Sequence, residues 1–148
     1  DARAYAWVAR LALLHLGDVS ALAPLLLQTV TLEPGEGLAL PPRTLHAYLA
    51  GGAIEVMGSS DNVLRAGLTT KLVDEENLVA CTVFAPQQPS APEVTTAGSR
   101  GQVHTYRVPV TEFALTTADV DPSEPVALPA TGPRILLCLD GELATVVG

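Results

Sequence analysis

Apolar positions recur first at a helical period and then at the period of a strand. Residues 2–16 (ARAYAWVARLALLHL) are rich in Ala and Leu, and Tyr5, Val8, Leu11 or Ala12, and His15 fall at helical spacing. This predicts one helix. Gly17 stops it, and Asp18 stands where a side chain would cap a second short element reaching Leu26. Pro24 lies inside that element, so a single turn followed by a kink competes there with a full helix. From Thr29 the texture changes to TVTL, LAL, LHAYL and AIEVM, set apart by Pro- and Gly-rich turns. Short strands at this spacing predict an antiparallel barrel or jelly roll.

The period of two assigns faces to these strands. His46 and Tyr48 share one face and Leu45, Ala47 and Leu49 the other, while Glu55 and Met57 oppose Ile54 and Val56. One face thus carries His, Tyr and Glu. A small barrel enclosing a polar pocket gives this pattern, and so does a two-layer sheet with a wet face. Ser59-Ser60-Asp61-Asn62 reads as a turn. Arg65 then follows among apolar residues, as a pocket group or as a solvated loop arginine. Asp74 is placed to cap a helix over Glu75 to Ala80, with a strand at Cys81 to Phe84. The Pro-, Ser- and Gly-rich run that follows has little apolar content and reads as a linker. Beyond it HTYRVPV, EFALTT, PVALPA, PRILLCL and ELATVV predict further strands, with Asp140-Gly141 as a hairpin turn.

Composition narrows the chemistry. The net charge is −8 and no basic run exists, which argues against nucleic acid as a partner. No apolar run approaches the roughly 18 residues of a membrane-spanning helix, so no membrane partner is expected. No secretory leader opens the chain. The start at Asp1 and the finish inside a strand pattern read as part of a longer polypeptide. Cys81 and Cys138 sit in apolar runs and are expected to be free, buried thiols of a cytoplasmic protein. With one lysine and seven arginines, an anionic small substrate requires local cations, and Arg65 and Lys71 are the closest such pair inside a motif. The stretch LHAYLAGGAIEVMGSSDNVLRAGLTTK, residues 45–71, therefore reads as one wall of an active site.

That stretch, together with GDVSALAPLLL and LEPGEGLAL before it, closely resembles the type I phosphomannose isomerases (mannose-6-phosphate isomerases) of the cupin superfamily. The resemblance rests on the histidine, Ala-Tyr, Glu, Ser-Asp-Asn, Arg-Ala-Gly and closing Thr-x-Lys at the family's spacing. It is strong over about residues 16–85 and loose elsewhere. Gly58 and Thr70 depart from the family's usual alanine and proline.

The resemblance implies a mainly β chain: residues 1–27 the end of a helical insertion and 28–86 the second part of a catalytic cupin jelly roll. A linker would span 87–103, and a partial C-terminal jelly roll 104–148. It implies interconversion of mannose 6-phosphate and fructose 6-phosphate through a zinc-assisted cis-enediol. His46 would be one ligand of a single Zn2+ and Arg65 the catalytic arginine, with Tyr48, Glu55, Asp61 and Lys71 binding substrate. The remaining ligands, a Gln-x-His pair and a glutamate, would lie on strands outside this chain. Gln102-Val103-His104 imitates that pair, but it lacks the usual proline-containing continuation and precedes what looks like the opening strand of the second jelly roll. The proton-abstracting base stays open between Asp61, Glu55 and a residue elsewhere. A phosphosugar partner, a monomeric state and an inactive isolated chain complete the expectation. The alternatives are a cupin module that binds a sugar phosphate without turnover and a purely structural fragment with an unfinished pocket.

Overall fold

Ala and Leu dominate the first thirteen helical residues, and the computed structural model turns them into α1 (Ala2–Leu14). It describes residues 2–60, 62–99, 101–127 and 132–145. Arg10 lies over the Trp7 ring at 5.3 Å, a pairing that the i, i+3 spacing of a helix permits. Gly17, at φ +79°, turns the chain out of the helix. A seven-residue 3-10 helix follows at Val19–Leu25 with Pro24 inside it, so the element is more than a single turn but is wound more tightly than an α-helix. Ala4 and Leu11 of α1, with Ala21 and Pro24 of the 3-10 helix, form the small buried core of this region. Ala4 and Ala21 are small enough to let the two helices approach closely.

The chain divides into two compact units, Asp1–Pro92 and Glu93–Gly148. In the first, Asp18 caps the 3-10 helix: its Oδ1 accepts from the Ser20 N–H at 2.8 Å. Its Oδ2 accepts from the Leu68 N–H at 2.7 Å, fifty residues away. The Ser20 hydroxyl also reaches the Ala66 carbonyl at 3.4 Å. Gly67 and Leu68 both have positive φ, +151° and +51°, which aims the Leu68 N–H at the carboxylate. A Cβ at Gly67 would run into the Ser20 side chain. Glycine at the end of Arg65-Ala66-Gly67 is therefore a backbone requirement.

α2 (Glu75–Cys81) is capped by Asp74, whose Oδ1 accepts from the Asn77 N–H at 3.1 Å and whose Oδ2 accepts from the Asn77 side-chain amide at 2.7 Å. Glu75 and Glu76 in its first turn suit the positive end of the helix dipole. Cys81 closes this helix and residues 82–84 form no strand. Instead Arg43 Nε donates to the Cys81 carbonyl at 2.5 Å, and the Arg43 carbonyl accepts from Val83 N–H at 3.1 Å. Thr44 Oγ1 donates to Gln87 Oε1 at 2.7 Å, and Ala39 N–H to the Ser90 carbonyl at 2.8 Å. These sparse bonds hold residues 39–44 along 81–90.

Residues 29–57 run without a ladder among the described residues; Ala39 and Ser90 make an isolated bridge. The expected strands there are thus extended segments lacking partners. Alternation assigns faces within a strand but does not supply a neighbour to pair with. Leu45 and Leu49 are half-buried while His46 and Tyr48 are exposed, but Ala47, expected on the leucine face, is exposed too, so the period of two holds only in part. Ile54 and Val56 are exposed, against the aliphatic inner face expected of them. Cys81 and Cys138 are free, as expected, but exposed.

The second unit holds an open antiparallel sheet, β1 (Glu93–Ala97), β2 (Val103–Arg107) and β3 (Leu115–Ala118), in that order. Glu93 faces Arg107 and Ala97 faces Val103 in the first pair; Val103 faces Ala118 in the second. β1 lies inside the Pro-, Ser- and Gly-rich run, where β-branched Val94-Thr95-Thr96 outweighs the turn formers around it. Buried Tyr106 on β2 anchors the sheet. The Glu124 carboxylate secures the β1–β2 connection, accepting from Ser99 Oγ at 3.1 Å and from the Ser99 and Gly101 N–H groups at 3.3 Å. PRILLCL is exposed and forms no strand, and the Asp140-Gly141 bend closes no ladder among the described residues. PVALPA and ELATVV extend beyond the described residues.

Two stability predictions follow from the Asp18 contacts. Gly67→Ala adds both the Ser20 collision and left-handed strain, and should destabilise the chain by about 1–3 kcal/mol. Thermal unfolding by circular dichroism reads this, and adding Ser20→Gly should restore part of the loss. Hydrogen bonds from the Ser20 backbone, the Ser20 side chain and the Leu68 backbone hold the Asp18 carboxyl below its ordinary 3.8. A depressed pKa stabilises the fold above 3.8, and the contribution is lost as pH falls through the lower folded value. The Tm penalty of Asp18→Asn should accordingly be full at neutral pH and shrink in acid; a penalty independent of pH would contradict this assignment.

Candidate functional site

His46 sits two residues beyond Thr44, which is tied to Gln87. Its Nδ1 lies 3.0 Å from the Thr44 carbonyl. A carbonyl only accepts, so Nδ1 carries the proton and Nε2 of the neutral ring keeps its lone pair. Nε2 is 3.7 Å from Glu55 Oε1, with 42 % and 50 % of the two side chains exposed. Such a pair, charged when His46 is protonated, is worth about 0–1 kcal/mol and organises more than it stabilises. The Tyr48 ring meets His46 edge-on, with centroids 6.1 Å apart and planes at 74°. The three residues that the period of two puts on one face therefore stand together.

The Tyr48 hydroxyl is pushed up to about 12 by desolvation first, then by hydrogen bonding to and charge repulsion from Glu55. Although 66 % of the residue is exposed, its phenol stays protonated and able to donate through the whole neutral range.

Arg65 is exposed and makes no hydrogen bond or ion pair among the described residues. The burial that its apolar neighbours suggested is absent, because Val63 is itself 42 % exposed. Lys71 is exposed as well, its backbone N–H bonded to Thr69 Oγ1 at 3.1 Å. No bond joins Arg65 or Lys71 to the His46 cluster among the described residues. Asp61 lies outside the described residues. His104 bonds across the sheet to Thr96 Oγ1 through Nδ1 at 3.0 Å, which gives the imitation ligand pair a partner of its own. Sequence reasoning read Asp18 as a cap and missed its second role, since nothing local marks Leu68 as its partner.

The donor set can be tested against a zinc ion. A backbone carbonyl orienting Nδ1–H is the usual support of a ligating imidazole, so His46 suits one ligand position. Catalytic zinc takes three protein ligands and an open place. No group of three His, Cys, Asp or Glu gathers among the described residues. This chain's described residues fit one place of such a site without completing it. No helix among the described residues is long and apolar enough to cross a membrane.

Comparison with known proteins finds relatives named as mannose-6-phosphate isomerases. It is 42 % identical over 125 residues to the mannose-6-phosphate isomerase of Salmonella typhimurium, covering 84 % of this chain and 32 % of the relative. Mannose-6-phosphate isomerase 1 of Arabidopsis thaliana is 35 % identical over 126 residues, covering 84 % and 29 %. The rat mannose-6-phosphate isomerase is 33 % identical over 136 residues, covering 88 % and 32 %. The chain is homologous to the mannose-6-phosphate isomerases and spans about a third of the length of these curated relatives. No family model matches it, and no solved structure matches it.

The Tyr48 environment is directly testable. Ultraviolet titration of the three tyrosines should show one ionising near 12 rather than 10, and Tyr48→Phe should remove that step. Glu55→Gln should lower it without reaching 10, since desolvation remains the leading cause. A raised folded value means that stability held below 10 is lost as pH rises through about 12.

Proposed function

We propose that the polypeptide carrying this chain interconverts mannose 6-phosphate and fructose 6-phosphate. The observation that carries the reading is the 42 % identity over 125 residues, whose length forces the match to include residues 45–71. The gathering of His46, Tyr48 and Glu55 supports it from the geometry. In this reading residues 28–86 are the second part of a catalytic cupin jelly roll completed by strands outside the chain, 87–103 a linker and 104–148 part of a second jelly roll. The protein acts as a cytoplasmic monomer.

Aldose–ketose exchange moves a proton between C1 and C2 through a cis-enediolate, and negative charge develops on both oxygens. Arg65 stabilises that charge or the phosphate, and Lys71 adds a second cation on an acidic protein. Tyr48, held protonated, donates to a sugar hydroxyl. Glu55, beside the His46 ring, contacts substrate with Asp61. The carbon-bound proton goes to Asp61, Glu55 or a base outside this chain. His46 offers Nε2 as one ligand of the zinc that the resemblance implies, an ion that polarises sugar oxygens when bound.

A coupled isomerase assay tests this on the full-length protein. Arg65→Ala should lower kcat by about 10²–10³-fold, the scale set by loss of one charge-stabilising donor. The 148-residue chain alone should show no turnover and hold zinc weakly. A full-length protein that binds mannose 6-phosphate without isomerising it would favour the binding module instead.

A further inference from the structure

Arg65 has no side-chain partner among the described residues, yet the backbone just after it is tied to the 3-10 helix. Three contacts grip the three residues after it. The Ser20 hydroxyl reaches the Ala66 carbonyl at 3.4 Å. The Ser20 side chain occupies the space beside the Gly67 Cα, where a Cβ would stand. Asp18 Oδ2 accepts the Leu68 N–H at 2.7 Å. The same carboxylate uses Oδ1 to hold Ser20, so one group fixes both jaws of the clasp. A carboxylate can accept at both oxygens at once, whereas an amide presents one acceptor and one NH2. The first turn of the 3-10 helix thereby sets where Arg65 leaves the chain.

We propose that Asp18, with Ser20, is the positioning device for the Arg65 guanidinium in the isomerisation. This rests on the function proposed above. An exposed arginine with four rotatable side-chain bonds and no partner loses conformational freedom when it engages substrate. Fixing its backbone removes part of that cost before substrate arrives. Misplacing a group by about 1 Å from a site remote from the chemistry costs up to roughly 10²-fold in rate. Asp18 touches neither substrate nor metal; it acts through the backbone at residues 66–68.

The test uses the full-length protein with mannose 6-phosphate. Asp18→Asn keeps shape and leaves one of the two N–H groups facing an NH2. It should lower kcat about ten- to a hundred-fold with KM within about twofold of wild type. In an Arg65→Ala background the same substitution should cost almost nothing further in kcat, because the clasp then has no guanidinium to place. A merely structural role would lower activity by the same factor in both backgrounds, and that result overturns the proposal. Should Asp18→Asn fail to fold, Ser20→Ala removes the Ala66 contact and the Ser20 side-chain bond to Asp18 while leaving both backbone N–H bonds to the carboxylate, and should lower kcat about two- to fivefold, again only when Arg65 is present. An active wild type sensitive to Arg65→Ala but indifferent to Asp18→Asn and Ser20→Ala overturns the clasp alone. A wild type without turnover overturns the isomerase reading, and the clasp with it.

Discussion

One carboxylate ties the beginning of the chain to its chemically rich middle. Asp18 closes the first turn of a 3-10 helix and accepts the backbone of Leu68 with its other oxygen. The second bond exists only because Gly67 and Leu68 adopt positive φ together, and Gly67 can do so only while it lacks a Cβ. Helix end, glycine and the arginine two residues before it thus form a single dependency. Remove any member and the loop after Arg65 loses its geometry.

The site itself is assembled by a second, independent set of contacts. Arg43 and Thr44 are held against residues 81–87, and Thr44 in turn fixes the His46 tautomer through its carbonyl. His46 then meets Tyr48 edge-on and Glu55 at 3.7 Å. Desolvation first, and then the neighbouring Glu55 carboxylate, hold the Tyr48 phenol protonated. Arg65 and this cluster are held by different supports.

Apolar residues that ordinarily build a core stay largely at the surface here. Leu72 is 90 % exposed and Ile135 98 %, while among the described residues the buried set is little more than Ala4, Leu11, Ala21, Pro24 and Tyr106. Order in residues 29–57 comes accordingly from a few hydrogen bonds and turns rather than from packing. Its extended segments keep the side-chain alternation of strands without a ladder to belong to.

By itself the sequence determined whatever depends on near neighbours. Ala and Leu at helical spacing specified α1, Asp18 and Asp74 announced their caps, and alternation put His46 and Tyr48 on one side. These follow from interactions across four residues or fewer, which a linear pattern records. The homology of residues 45–71 was legible too, because motif spacing is a property of the chain. Tertiary structure decided what needs a distant partner. The Leu68 N–H on Asp18, the Gly67 fit against Ser20, the exposure of Arg65 and both cysteines, and the missing ladders over 29–57 all belong there. So does β1, whose Val94-Thr95-Thr96 became a strand because Tyr106 and its neighbours on β2 lay alongside to pair with it. A hydrogen bond between residues far apart in sequence depends on where the intervening chain goes, and no local spacing encodes that path.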